Sequence, residues 1–436
     1  MTDCTRTFTL RSDVTPSTIG APPTLVSSST QADDSCTRKV HWRDASDSFV
    51  AEIVTELRTT KSKLDAFPER SYYAARNKVF PLAVTGSQGT NSFINRAGHK
   101  LLEVMEECQM WAPFVAIGKR PRDDSEEEGS KKAPLAKKDP IVFADVCGGP
   151  GSFSQAIMHT CPREHKKRLL GFGLTLKDKH NGAPEGWYPD LLKSPQYFVT
   201  FGVDGTGDVY KPENVNAFAS LVTGRPLRLL VADGGFEVPF EIANHQEAIS
   251  LRIAYAQWYC AVRCLQEGGS FVLKLFDTFT PFLRSMLFLT TVFFDTTRVV
   301  KPLHSRVVNS ERYLVGIGRK AIPTEWIDYL TSVHANGFTE DTSMYSLVPM
   351  PAVEADRGFT LTMERMVTVI ANNQVEGLEK VLKCDLLHKG DAPAAPKVVV
   401  EETPVVAEEV SATTVTEQAV VVEEAPTTSE APTTTE

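Results

Sequence analysis

Four charged residues sit where a packed fold would not leave them idle. Lys274 lies in GGSFVLKLF, flanked by Leu273, Leu275 and Phe276. A lysine inside an apolar strand is rare unless it is paired. Asp233 ends LLVAD, Glu311 opens ERYLV, and Lys100 lies in NRAGHKLLEV. A lysine can take the proton of a hydroxyl only if its pKa falls well below about 10. Burial and a second ammonium both push it down, and interposed carboxylates keep the charge of such a site tolerable. Moving a methyl group from a sulfonium to a ribose hydroxyl is a reaction that would use this set. A structural ion pair of Lys274 with Asp233 is the plain alternative.

A glycine-rich turn is the second candidate. The apolar run Ile141–Val146 is followed by Cys147-Gly148-Gly149-Pro150-Gly151-Ser152-Phe153 and then by a helical pattern. A strand–turn–helix unit of this kind binds ligands at the carboxyl edge of a doubly wound sheet. Glycines let a ligand approach the backbone, and the helix amides meet its polar groups. A nicotinamide site would show G-x-G-x-x-G and an acidic residue about 20 positions on. Here the turn is GGPGSF, and the next strand ends Leu174-Thr175-Leu176 without a carboxylate. No lysine follows the glycines to cradle phosphates. S-adenosylmethionine, which has no phosphate, remains permitted. Asp204, in FGVDGTGD, is placed to reach its nucleoside, or is simply a turn residue before Gly205.

The elements that position these residues are legible from periodicity. From residue 140 onward, IVFADV, LLGFGLTL, YFVTFGV, LRLLVAD, GSFVLKLF, TRVVKP and YLVGIG read as strands. Residues 152–160, 212–223, 241–266 and 281–290 read as helices between them. Such alternation implies an α/β fold with a mostly parallel, doubly wound, Rossmann-like sheet. The short loop between the last two strands suggests an antiparallel hairpin at one edge. Residues 41–118 keep helical spacing, as in Phe49, Ile53, Val54 and Leu57.

Composition divides the rest. Residues 1–38 are rich in Ser, Thr, Asp and Pro and read as a disordered arm. Residues 39–388 form the ordered domain, with a charged insertion at 119–138, KRPRDDSEEEGSKKAPLAKK, whose basic–acidic–basic layout resembles a bipartite nuclear-import signal. Residues 389–436 read as a disordered acidic tail. The chain carries a net charge of −9, of which −8 lies between Lys397 and Glu436. The body is therefore nearly neutral, and an RNA groove must be a local basic patch. No apolar run reaches the roughly 18 residues of a spanning helix. MTDCTRTFTL lacks a signal-peptide pattern, so a soluble intracellular chain without membrane contact is expected. The eight cysteines show no CxxC pair, and Cys260 and Cys264 read as buried free thiols rather than metal ligands.

Taken together, NRAGHK, FADVCGGPGSF, GFGLTLK, DGTGDVYKPENV, LVADGGF, FVLKLFDTFTPF and KPLHSRVVNSERYLV occur in family order. The chain resembles the FtsJ-like RNA 2′-O-methyltransferases over residues 42–385, most closely the cap-specific mRNA 2′-O-methyltransferase 1 family. The resemblance implies Lys100, Asp233, Lys274 and Glu311 as the catalytic set, with Lys274 as general base. It implies S-adenosylmethionine held by Asn95, the Cys147–Phe153 turn, Asp204 and Gly205, with Arg76 nearby. It implies capped RNA near Lys61, Ser62, Lys63, Leu64 and Asp65, near Asn244, His245 and Gln246, and at Asn309. The capped 5′ end of mRNA would be the partner, with RNA polymerase II or other capping machinery beside it, in the nucleus. Cytoplasmic or viral action is the alternative location. Two departures stand out. Ser152 occupies a usual glycine position, and EVPFEIANHQEA lacks the family's glycine.

A methyltransferase of ribosomal or transfer RNA would share the same four residues. A silent RNA-binding protein would have no need of Lys274 in an apolar strand.

Overall fold

Parallel strands must be joined by crossovers, and the strand–helix alternation after residue 140 supplies them. The computed structural model describes residues 6–25, 36–45, 50–81, 93–115, 140–177, 186–236 and 238–388. The charged insertion 119–138 and the tail 389–436 lie outside the described residues.

The strands are β1 Thr7–Leu10, β2 Lys39–His41, β3 Ile141–Val146, β4 Leu169–Leu174, β5 Tyr197–Thr200, β6 Leu227–Ala232, β7 Ser270–Leu275, β8 Phe294–Val300, β9 Arg312–Arg319 and β10 Thr342–Met344. The helices before β3 are α1 Ala51–Ser62, α2 Glu69–Val79, α3 Ala97–Glu107 and α4 Trp111–Val115. Those after it are α5 Ser152–Glu164, α6 Pro189–Leu192, α7 Pro212–Val222, α8 Gln246–Ile249, α9 Leu251–Cys264, α10 Pro281–Phe293, α11 Thr324–Asn336, α12 Met350–Ala355, α13 Arg357–Leu382 and α14 Asp385–His388.

The main sheet runs β1-β8-β9-β7-β6-β3-β4-β5. From β7 to β5 all neighbours are parallel. β9 is antiparallel to both β7 and β8. β3, in the parallel part, is buried along its whole length, as IVFADV requires. One face packs Leu230, Phe271 and Leu273 under α9 and α10. The other packs Phe143, Val231 and Val272 under Leu101 and Met105 of α3 and Ile157 of α5. α10 is buried all round, starts with Pro281, and is capped by Thr280, whose hydroxyl accepts from Leu283 N at 3.3 Å.

Three sequence expectations change. The arm 1–38 is not wholly unstructured: Thr7–Leu10 form the edge strand β1, antiparallel to β8. Phe8 and Leu10 alternate into the core, a period-2 signal too short to stand out from its Ser/Thr-rich surroundings. Ser12 Oγ donates to Asp356 Oδ2 at 2.6 Å, fastening the same segment to the start of α13. The β8–β9 pair is antiparallel, but β1 takes the edge position expected for it. The helical part 41–118 also divides: Val54, Leu57 and Ala75 of α1 and α2 join one core cluster, and Leu101, Val104 and Met105 of α3 join the other.

Candidate active site

The carboxyl ends of β3, β5, β6, β7 and β8 share one edge of the sheet, and β9 begins there. This polarity brings residues distant in sequence together. Asp233 follows β6, Lys274 is the last but one residue of β7, and Glu311 directly precedes β9. Lys100 reaches the same edge from the first turn of α3.

Lys100 Nζ lies 2.7 Å from Glu311 Oε1. Lys274 Nζ donates to the Asp233 main-chain oxygen at 2.7 Å and lies 3.4 Å from Asp233 Oδ1. Tyr313 joins the two pairs: its hydroxyl lies 3.1 Å from Glu311 Oε1 and 3.3 Å from Asp233 Oδ1. All four expected residues therefore meet in one chain, Lys100–Glu311–Tyr313–Asp233–Lys274. Burial works to raise the Glu311 carboxyl, but Lys100 and Lys274 overcome it and hold it below its usual range. Burial, with the Asp233 and Glu311 charges, pushes the Tyr313 phenol well up, so it stays an O–H donor.

The glycine turn folds back on its own strand. A side chain on Gly148 would meet the Asp145 carboxylate 2.2 Å away, and one on Gly149 would meet the Gly186 carbonyl at 2.5 Å. The glycines are thus required by the protein's own packing, before any ligand is considered. Asp145, fully buried, accepts from Ser154 N and Oγ at 3.1 and 2.6 Å through Oδ2. Its Oδ1 has no hydrogen-bond partner among the described residues. Burial raises its pKa to about 7. Cys147 and Pro150 belong to the same turn, and Phe153 is buried behind it. Ser152 binds both ways: its hydroxyl accepts from Gly98 N at 2.9 Å and donates to the Asn95 carbonyl at 3.2 Å. The serine that departs from the family pattern thereby fastens α3 to the turn. Asn95 Oδ1 accepts from Ala97 N, the first amide of α3, at 2.8 Å.

Asp204 is engaged by its own loop. It accepts from Thr206 N at 2.9 Å and Asn214 Nδ2 at 3.0 Å, and it pairs with Lys211. Lys211, then Thr206, hold its carboxyl well below the usual range. Gly205, at φ +74°, opens onto free space.

Beside this edge lies a cleft of about 700 Å³. Lys61, Asp65 and Arg76 line it from the helical side. Asn244, Gln246, Asn309 and Glu311 line it from the sheet side. Arg76, expected near the cofactor, lines this cleft beside the substrate candidates, its guanidinium 4.6 Å from the Tyr73 ring centre. Lys61 Nζ binds Asp277 Oδ2 at 3.2 Å and Ser310 Oγ at 2.9 Å. Ser62 Oγ accepts from Asn244 Nδ2 at 3.1 Å, which ties the two substrate segments together. Lys63 sits at the exposed start of a 3₁₀ turn, and Leu64 is a core residue. His245 packs edge-on to Trp42, ring centres 5.3 Å apart.

Sequence reasoning missed Tyr313, whose place in YLV reads as strand filler. It also missed Asp277, which accepts from Arg312 at 2.7 Å and from Ser310 at 2.8 Å beneath the cleft. Its position after FVLKLF was the available signal.

The model of the FtsJ-like methyltransferase family matches residues 93–319. A Trypanosoma brucei brucei protein named cap-specific mRNA (nucleoside-2'-O-)-methyltransferase 1 is 46% identical over 345 residues, 79% of this chain and 88% of the relative. A Trypanosoma cruzi protein of the same name is 44% identical over 79% of this chain and 89% of its own length. A Bos taurus protein of that name is 33% identical over 79% of this chain, which spans 40% of that longer relative.

Proposed function

The chain belongs to the FtsJ-like methyltransferase family, within its cap-specific mRNA (nucleoside-2'-O-)-methyltransferase 1 group, and we infer from that premise how its residues divide the work. The protein is an S-adenosylmethionine-dependent enzyme that methylates the ribose 2′-hydroxyl of the first transcribed nucleotide of capped mRNA, converting cap 0 to cap 1.

The residues at the sheet edge fit the cofactor. Asp145 presents a buried oxygen without a partner among the described residues beside the turn, and Asp204 and Asp233 follow β5 and β6, whose carboxyl ends share this edge. A carboxylate-lined edge suits a ligand that carries an ammonium and a sulfonium and no phosphate. Asn95, the Cys147–Phe153 turn, Asp204 and Gly205 would hold it, and it supplies an electrophilic methyl group. Lys274 acts on the RNA. Lys274 would accept the proton of the ribose 2′-hydroxyl as that oxygen takes the methyl group the cofactor would supply. The Asp233 carbonyl aims that amine, and Lys100, anchored by Glu311, orients the hydroxyl. The cleft of Lys61, Arg76, Asn244, Gln246 and Asn309 takes the capped end.

The observation that carries this reading is the unbroken Lys100–Glu311–Tyr313–Asp233–Lys274 chain beside the turn. Radiolabelled methyl transfer to capped and uncapped RNA, followed by digestion to locate the methyl, tests it. Equal transfer to both would favour a ribosomal or transfer RNA substrate; cofactor binding without transfer would leave a binding protein. Nuclear action rests on the charge layout of 119–138, and RNA polymerase II or other capping machinery as a partner rests on the family resemblance alone. A tagged chain lacking 119–138 that still accumulates in nuclei would remove that support.

A further inference from the structure

Lys301 directly follows β8 and is only 7% exposed. Its main-chain N–H donates to the Arg6 carbonyl at 2.8 Å, so the β1 edge strand fixes where it stands. Its ammonium donates to the carbonyls of Asn309 and Glu311, the latter at 2.7 Å, and to Ser305 Oγ at 3.3 Å. All three acceptors belong to the connection between β8 and β9. That connection carries Asn309 into the cleft and Glu311 onto Lys100. Glu103 of α3 holds its outer side, accepting from Leu303 N at 2.6 Å and His304 N at 3.1 Å. The charged groups facing Lys301 are Glu311 and Arg312 at β9, Asp277 after β7 and Lys100 on α3. Burial pushes its pKa down to about 7, against the pull of Glu311. A charge held at that cost by main-chain oxygens fixes a loop rather than reacting with a substrate.

We propose that Lys301 is a positioning residue for methyl transfer, its three hydrogen bonds setting where Glu311 meets Lys100 and where Asn309 meets the RNA. The proposal rests on the functional reading above. A misplacement of about 1 Å at a reacting geometry costs on the order of 10²-fold in rate.

The test compares full-length wild type, Lys301→Ala and Lys301→Met on capped RNA. Lys301→Ala is expected to lose at least about tenfold in kcat while S-adenosylhomocysteine affinity stays within about twofold. Propylammonium should enter the vacated site and restore kcat saturably in Lys301→Ala, with no effect on wild type. Lys301→Met, which fills the site with an apolar chain, should be slow and insensitive to the amine. Unchanged kcat in Lys301→Ala overturns the proposal. So does a loss shared equally with cofactor affinity and untouched by the amine, since that marks a folding defect. Wild type without turnover on capped RNA would instead overturn the functional reading.

Discussion

Tyr313 stands directly opposite Lys274 in the β7–β9 pairing, so the phenol and the ammonium rise from the same face of the sheet. The phenol has one hydrogen and two carboxylate neighbours, Glu311 at 3.1 Å and Asp233 at 3.3 Å. Donation to one leaves the other to the lysines. Tyr313→Phe removes that choice and leaves two half-buried carboxylates closer to repulsion. A lost hydrogen bond to a charged group is worth about 1.5–3 kcal/mol, so kcat should fall by roughly ten- to a hundredfold with cofactor affinity kept. Steady-state kinetics beside calorimetry with S-adenosylhomocysteine checks this. Wild-type kcat in the variant would make the phenol a packing residue only.

Lys274→Ala should abolish methyl transfer with S-adenosylhomocysteine affinity within a few-fold. Loss of a proton acceptor costs a factor of roughly 10² to 10⁴, and Asp233 also loses its ionic partner. Turnover above one tenth of wild type would take the role of base away from Lys274.

What the sequence makes legible is whatever breaks a local rule. Lys274 is visible because charge in an apolar strand needs a reason, and GGPGS is visible because glycines cluster there for geometry. Tyr313 is silent because YLV is an ordinary strand composition. Lys301 is silent because two of its three partners are main-chain oxygens, which leave no mark in residue identity. The parallel sheet follows from alternation, whereas β1 depends on pairing with β8 about 290 residues away, and no local window contains that. Arg76 is marked by the resemblance alone, and the cleft it lines is a tertiary feature.

Gly149→Val should abolish S-adenosylhomocysteine binding and also lower the melting temperature. The reason lies in the protein: the added side chain meets the Gly186 carbonyl at 2.5 Å and Thr175 Oγ1 at 2.9 Å. Overpacking of this kind costs about 1–3 kcal/mol. Calorimetry and thermal melts check the two effects, and unchanged binding would mean that the turn does not touch the cofactor.

Ser152→Ala should loosen the join between α3 and the turn. The hydroxyl accepts from Gly98 N and donates to the Asn95 carbonyl, and both groups lose their partner. An orphaned buried donor costs about 1–3 kcal/mol. Because Lys100 lies on the same helix, kcat should fall along with thermal stability. Stability lost with kcat intact would show that α3 holds its place without this bond.

Glu247 sets a pH dependence of stability. Its carboxyl is buried and accepts from Phe279 N at 2.8 Å and Thr280 N at 2.7 Å, next to Gln246 of the cleft. Burial raises its pKa to about 7 from an ordinary 4.5, against those hydrogen bonds. Between those two values the folded state holds a proton that the unfolded chain has lost. Stability from this group therefore falls as pH rises through the window, and the cost of the buried charge is complete above about 7. Glu247→Gln mimics the protonated acid and does not titrate. The stability difference, variant minus wild type, should grow in the variant's favour between pH 5 and pH 8. Denaturant unfolding of both proteins across this range measures it. Parallel profiles would mean that Glu247 is no harder to ionise in the fold than in the open chain, and that its two backbone bonds already offset the burial.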